Sequence, residues 1–460
     1  WKSDGTSSGT VLVKDINPGS NSGGASALTP VGSTLYFVAD DGTHGYELWK
    51  SDGTSSGTVL VKDINPGAQS SGLDRLGPVG AGIFFRADDG TNGTELWKSD
   101  GTESGTLMVK NISPGNCYGS PCNSNPGNIT GFGNPWPWVV IGSTVFFRAQ
   151  GNGNGDFELW KSDGTESGTV LVKDIKPGSN GGDALSPVVL NGTVYFNADD
   201  GSNGYELWKS DGTESGTVRV KDINPSSDSY PDQLTIVGST IYFSASTASN
   251  GRELWKSDGT ESGTVMVKDI NPSGNSSPQI LVGTGNSLYF QADDGTHGTE
   301  LWKSDGTASG TVLVKDINPS SGSNPISLTA LGNTLYFSAD DGTHGTELWK
   351  SDGTTGGTIL VKDINEDGNS SYMVNPVALG GNLIFPADDG THGYELWKSD
   401  GTASGTTMVE DINPSGDTWP EILTTLGNVL YFVADDGTNG RELWKSDGTA
   451  SGTTMVEDIN

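Results

Sequence analysis

The string WKSDGT occurs ten times, with its Trp at positions 1, 49, 97, 160, 208, 255, 302, 349, 397 and 444. The spacings are 48, 48, 63, 48, 47, 47, 47, 48 and 47, so the 460 residues form one array, 1–460, of units rather than a set of ordinary domains. A unit of this size cannot bury its apolar surface alone, and neighbours must stack to share a core. The one long interval holds an insertion at 116–138 that carries Cys117, Cys122 and a PWPWVV run.

Each unit reads as four short strands. In 57–102, the β-branched run TVLVKDI is followed by a Pro/Gly/Ser loop and a short LGPVG segment. Then come a strand IFFRAD, a DGTNG turn and a strand TELWKSD. Asp-Gly followed by a second Gly suits tight hairpin turns. In TLYFVAD (34–40), Leu35, Phe37 and Ala39 share one face while Tyr36 and Val38 share the other. Apolar groups on both faces require cover on both sides. The fold expected is therefore all-β: about nine four-stranded antiparallel blades, propeller-like, with the LYF strand inside and the VKDI strand at the rim. The outer hairpin, ELWKSDGTxxGTVLVKDI, holds 18 of the 19 lysines, Lys176 being the exception.

Residues 1–17 and 444–460 are two copies of one half-unit. Duplicate ends do not complement each other, so the chain reads as an excerpt of a longer array, and any signal peptide lies outside it. Nine units exceed the usual blade number of a closed propeller, which keeps an open superhelix beside the ring as an alternative. The balance of 57 acidic against 25 basic residues, net −32, argues against nucleic acid as a partner, because phosphate binding runs on clustered Lys and Arg. No run of 18 apolar residues is present, so no transmembrane segment is expected.

The motif ELWKSDGT, at 47–54, 95–102 and seven further places, resembles the ELWxxDGT-repeat family of bacterial secreted and surface proteins. The resemblance covers essentially the whole chain apart from the insertion. It implies an extracellular, cell-surface protein and supplies no catalytic residues. In that setting Cys117 and Cys122 are expected to pair as a disulfide.

His44, His297, His344 and His392 all fill one slot in DGTHG that Asn fills in the other five units. A shared tolerance of turn backbone explains both residues, whereas Asn cannot carry proton transfer. Seven units begin this turn with an Asp pair, and a Glu follows six residues on. Asp40, Asp41 and Glu47, Asp88, Asp89 and Glu95, and Asp340, Asp341 and Glu347 are thus candidate Ca²⁺ ligands. The plainer reading makes the Asp a turn former and the Glu a cross-strand partner of Lys. SDGTxxGT reads as turn and cap chemistry, and the recurrent Trp as packing between blades with its N–H satisfied. Tyr118, Trp136 and Trp138 fall in the insertion and are the expected contact loop.

Because almost every ionisable residue recurs in each unit, no catalytic constellation of unlike groups is apparent. The function expected is a non-enzymatic structural or adhesive protein that self-associates into a surface fibre, filament or layer. A lectin-like or calcium-dependent module with a glycan or cell-surface partner is the alternative.

Overall fold

The computed structural model describes residues 1–19, 21–117, 120–127, 138–151, 155–178 and 181–458. Among them are nine four-stranded antiparallel sheets, each with its strands in chain order, and no helix. The sheets span 26–62, 74–110, 138–173, 185–221, 232–268, 279–315, 326–362, 377–410 and 421–457, and they are the blades 1 to 9. In blade 1 the strands are β1 Ser26–Val31, β2 Thr34–Asp40, β3 Tyr46–Ser51 and β4 Val59–Lys62. The expected strands are all present, with Tyr36 opposite Lys50, Phe37 opposite Trp49 and Val38 opposite Leu48.

The two-faced apolar pattern of β2 is explained by stacking. Tyr36, Val38, Leu48 and Val61 of blade 1 pack against Ile64, Leu73, Leu76, Ile83, Phe85, Ala87 and Trp97 of the next unit. The same arrangement recurs at each of the eight junctions between successive blades. Each of these eight cores thus belongs to two blades at once. One Phe in each of blades 2 to 9, such as Phe85, Phe196 or Phe290, is fully buried there.

The lysines of the outer hairpin latch each blade to the next. Lys50 Nζ donates to Gly101 O at 2.6 Å, and Lys62 Nζ donates to Thr106 O at 2.9 Å. Each ammonium so placed neutralises the negative end of a carbonyl dipole on the neighbouring SDGT turn, which explains why Lys is confined to this hairpin. Lys62 also lies 6.0 Å from the centre of the Trp97 ring, and Lys315 lies 5.4 Å from that of Trp349. The recurrent Trp packs between blades as expected. Its N–H does not behave as expected: eight indoles, Trp97 and Trp444 among them, find no acceptor among the described residues.

The array closes into a ring. Residues 1–17 form an outer hairpin, with Lys2 bridged to Val11, that sits between blades 9 and 1. On one side Lys445 of blade 9 donates to Gly5 O and Ser7 donates to Glu457. On the other, Lys2 Nζ donates to Gly53 O at 2.7 Å and Lys14 Nζ to Thr58 O at 2.8 Å. The duplicate end segments therefore do not extend an open superhelix. They occupy successive positions of one circle.

The insertion is organised around a retained anchor. Cys117 and Cys122 form the expected disulfide, which closes over a short hairpin of two-residue strands, Asn116–Cys117 with Ser120–Pro121. Ser124 then restores the repeat by donating to Glu95 Oε2 at 2.6 Å. Trp138, the first residue of blade 3, is buried against blade 2. A Cβ added at Gly77 would stand 2.5 Å from Trp138 Nε1. Gly77→Ala is thus expected to cost about 1–3 kcal/mol through overpacking, measured by denaturant unfolding. An unchanged midpoint would show that the indole can move aside.

Candidate functional site

Two connections of each blade emerge on one face of the ring: the turn between the second and third strands, and the loop leading to the next blade. A buried glutamate ties them together. Glu206 is fully buried; its Oε2 accepts the Ile223 N–H at 2.8 Å and the Ser229 hydroxyl at 2.7 Å, and its Oε1 accepts the Asn224 N–H at 3.3 Å. Glu253 makes the same contacts to Ile270 and Ser276. The carboxyl thus pins both the start and the end of the inter-blade loop. Burial pushes Glu47, Glu95, Glu158, Glu206, Glu347 and Glu395 up to about 7, against the hydrogen bonds that favour the charged form. The expected cross-strand Glu–Lys pair is absent at these sites, because the lysines reach the next blade and the glutamates reach the loop.

The Asp pairs are turn formers. Asp40 accepts the Gly42 N–H at 2.7 Å, while Asp41 Oδ1 accepts the N–H of Thr43 and His44 at 2.9 and 3.0 Å. Asp88 and Asp89, and Asp340 and Asp341, repeat this arrangement. The His/Asn slot is held by a side-chain hydrogen bond rather than by left-handed backbone, which falls on the flanking Gly42 and Gly45. His44 Nδ1 lies 2.8 Å from Asp41 Oδ2, and Asn92 Nδ2 donates to Asp89 Oδ2 at 2.7 Å. A hydrogen-bond donor is the property His and Asn share. The bond to Asp41 raises the His44 pKa. Burial pushes the Asp41 carboxyl up, and the hydrogen bonds from His44 and Thr43 more than offset it.

Glu47 points into the blade, toward Ile64, and the Asp pair points into its own turn. No group of three or more His, Cys, Asp or Glu among the described residues is placed to hold a metal ion. Thermal unfolding with added Ca²⁺ and then EDTA tests the calcium candidates; since their oxygens already accept N–H groups, the midpoint is expected not to move. A calcium-dependent rise would restore them.

SDGTxxGT is turn and cap chemistry, as read from the sequence. Asp52 Oδ1 accepts the N–H and hydroxyl of Thr54 at 2.8 and 2.7 Å, and Thr58 donates to Thr54 O at 2.8 Å.

What sequence reasoning missed is where the non-repeating residues converge. The residue after the loop anchor is left-handed in every unit, and its identity varies: Gly24, Gly72, Asn125, Asp183, Tyr230, Ser277, Asn324, Tyr372 and Trp419. Its backbone neighbour, at the start of the third strand, varies too, as Tyr205, Arg252, Thr299 and Tyr394 show. Tyr205 and Tyr230 stack at 5.1 Å, and Tyr394 and Trp419 at 4.7 Å. Beside the first pair, Arg148 is ion-paired with Asp183, whose Oδ2 accepts the Tyr205 hydroxyl at 2.9 Å. Beside the second pair is a cleft of about 440 Å³, lined by Val374, Asn375, Pro386, Tyr394, Trp419, Pro420, Glu421, Ile422 and Arg441. Trp419 is 55% exposed there, and Arg441 donates to Glu421 Oε2 at 2.9 Å. The signal was present in the sequence as variation between otherwise identical units.

Of the expected contact loop, Tyr118 and Trp136 lie outside the described residues. Trp138 serves the core, and its edge also lines an apolar cleft formed with Val139, Val140, Pro187 and Ile236 of the inner strands.

Fold and face together define a nine-bladed β-propeller with one variable, acid-rimmed face. No protein-family profile and no curated protein matches the chain. Among solved structures it is similar to a puromycin hydrolase, with 14% identity over 79% of this chain and 58% of that one, TM-score 0.37. It is also similar to a prolyl endopeptidase, with 14% identity, 83% and 49% coverage, TM-score 0.38. A third is the β-propeller domain of the Trilobed protease from Pyrococcus furiosus, with 11% identity, 70% and 97% coverage, TM-score 0.33. The chain spans about half the length of the first two. At TM-scores of 0.33 to 0.38 these likenesses say nothing of this chain's activity. The expected role as a non-enzymatic surface fibre or adhesin does not stand. It was inferred from an array that runs on past both ends, and this array closes on itself. No helix among the described residues is long and apolar enough to cross a membrane.

Proposed function

We propose that the variable face binds polypeptide: an extended, proline-containing segment that carries positive charge, seated in the Tyr394–Trp419 cleft. The observation that carries this reading is the exposed Trp419 stacked on Tyr394, with Pro386 and Pro420 beside them. Parallel aromatic and prolyl walls suit the flat faces of an extended proline segment, whose conformation is preformed and costs little entropy to bind. Arg441, held by Glu421, supplies a planar donor for a peptide carbonyl. The Asp pairs around the face and the net charge of −32 favour a cationic ligand.

The test is fluorescence or calorimetric binding of Lys/Pro-containing decapeptides, with Pro→Ala versions as controls. Binding is expected to weaken at least about tenfold in Trp419→Ala, the scale of a truncated aromatic hot spot, and to weaken with salt. Equal affinity for the Pro→Ala peptides, or an unaltered Trp419→Ala ring, would overturn the reading.

A further inference from the structure

The face of the ring opposite the variable loops carries the turn between the first two strands of each blade and the SDGT turn. Two devices of the repeat seal it between blades. One is the lysine latch: Lys50, Lys161, Lys256 and Lys350 donate to the Gly carbonyl of the next SDGT turn at 2.6 to 2.7 Å, and Lys209, Lys303 and Lys398 do the same. The other is the tyrosine of the second strand, present in six blades. Its hydroxyl lies over the same glycine, so that a Cβ added at Gly101 would stand 2.5 Å from Tyr36 Oη.

Between blades 2 and 3 both devices are missing. Phe84 stands in the tyrosine's place, and Lys98, in the slot of the latch lysines, donates to no acceptor among the described residues. Phe146 makes the same change one blade on, yet Lys161 stays latched there, so the change to Phe does not by itself release the ammonium. At this junction lies a cavity of about 370 Å³, within the size range of small-molecule sites. Val79, Phe84 and Leu107 line it with apolar surface, and Lys98, Asp100 and Asp163 line it with charge. Each Asp spends Oδ1 on its own turn, accepting the N–H and hydroxyl of Thr102 or Thr165 at 2.7 to 2.9 Å. Their Oδ2 atoms accept no hydrogen bond among the described residues.

We propose that this cavity binds a small zwitterion with an apolar side chain, an α-amino acid. Its carboxylate meets Lys98, its ammonium faces Asp100 and Asp163, and its side chain lies against Val79, Phe84 and Leu107. A simple anion would meet the two carboxylates and a simple cation would meet Lys98, whereas a zwitterion complements both. Lys98 gives up no internal hydrogen bond to do this. The inference is independent of the peptide-binding reading, which concerns the opposite face.

The experiment titrates the 460-residue protein with L-phenylalanine, followed by calorimetry and saturation-transfer NMR. One-to-one binding is expected. N-acetylphenylalanine and phenylalaninamide, each lacking one of the charges, are expected to bind at least about tenfold more weakly. Lys98→Met breaks no latch and is expected to weaken L-phenylalanine by the same factor. Phe84→Tyr, which restores the residue of six other blades and takes up part of the cavity, is expected to do likewise. Lys256→Met, at a latched junction, is expected to lower the unfolding midpoint and leave the affinity unchanged. The proposal fails if no binding is seen up to about 10 mM, if acetylation or amidation leaves the affinity unchanged, or if Lys98→Met binds as tightly as the parent. Equal weakening by Lys256→Met and Lys98→Met would also overturn it, because the loss would then come from the ring and not from the cavity.

Discussion

Stability of the ring is expected to fall as pH rises from about 4.5 to about 7.5, opposite to the trend set by salt-bridged carboxylates. Six buried glutamates titrate at about 7 in the folded ring and near 4.5 when exposed. Between those values the folded state holds more protons than the unfolded one, so stability is fully present below about 4.5 and is lost as pH climbs through 7. Each residue contributes on the order of 1 kcal/mol, which amounts to several kcal/mol over the set. The His–Asp pairs act in the same sense: the raised pKa of His44, His297, His344 and His392 gives stability below 6.5 that is lost as pH rises through the folded value. Relief of self-repulsion on the acidic chain adds to it. The turn aspartates set the lower limit. Hydrogen bonds from Thr54 hold the Asp52 pKa below 3.8, and this support is lost as pH falls through the folded value. Calorimetric midpoints measured from pH 3 to 8 are therefore expected to peak near pH 4–5. Glu206→Gln, which keeps an acceptor for Ile223 and removes the titration, is expected to flatten the curve by one residue's share. A midpoint that rises steadily from pH 5 to pH 8 would refute the account.

Truncating a core phenylalanine is the other large effect. Phe290→Ala removes a fully buried ring from the cluster that joins blades 5 and 6, where it packs with Tyr242, Leu254 and Leu288. The expected cost is about 3–5 kcal/mol, lost transfer energy together with the cavity left behind. Because each core is shared only by neighbours, the damage should be local: hydrogen exchange is expected to accelerate in 232–268 and 279–315 first, with blades 1 and 9 least affected. Leu28→Ala, by contrast, alters a side chain with little cover and is expected to change stability by less than about 0.5 kcal/mol. Equal costs for the two substitutions would show that burial does not set the cost.

Much of this architecture was legible residue by residue. The 48-residue period gave the units, the Asp-Gly turns bounded the strands, and TLYFVAD showed by its two apolar faces that blades must stack. The disulfide and the SDGT caps were also readable, since each lies within a few residues of chain. The buried glutamates were not. Glu47 recurs beside polar neighbours and reads as a surface or metal-binding carboxylate, and only the packed loop shows that it meets the N–H of Ile64, 17 residues on. The His/Asn slot was read as a backbone preference because its partner carboxylate, though three residues away, is fixed by how the turn folds.

By itself the sequence determined the strand content, the turns, the shared cores and the confinement of lysine to one hairpin, all set by local propensity and short-range periodicity. Only the tertiary structure decided that the array closes. Closure depends on the summed rotation between many blades, and a small change at each junction, encoded by no single residue, would have opened the ring. The same summation brings Lys445 to Gly5. It also gathers the variable residues of separate units, Trp419 and Tyr394 among them, onto one face.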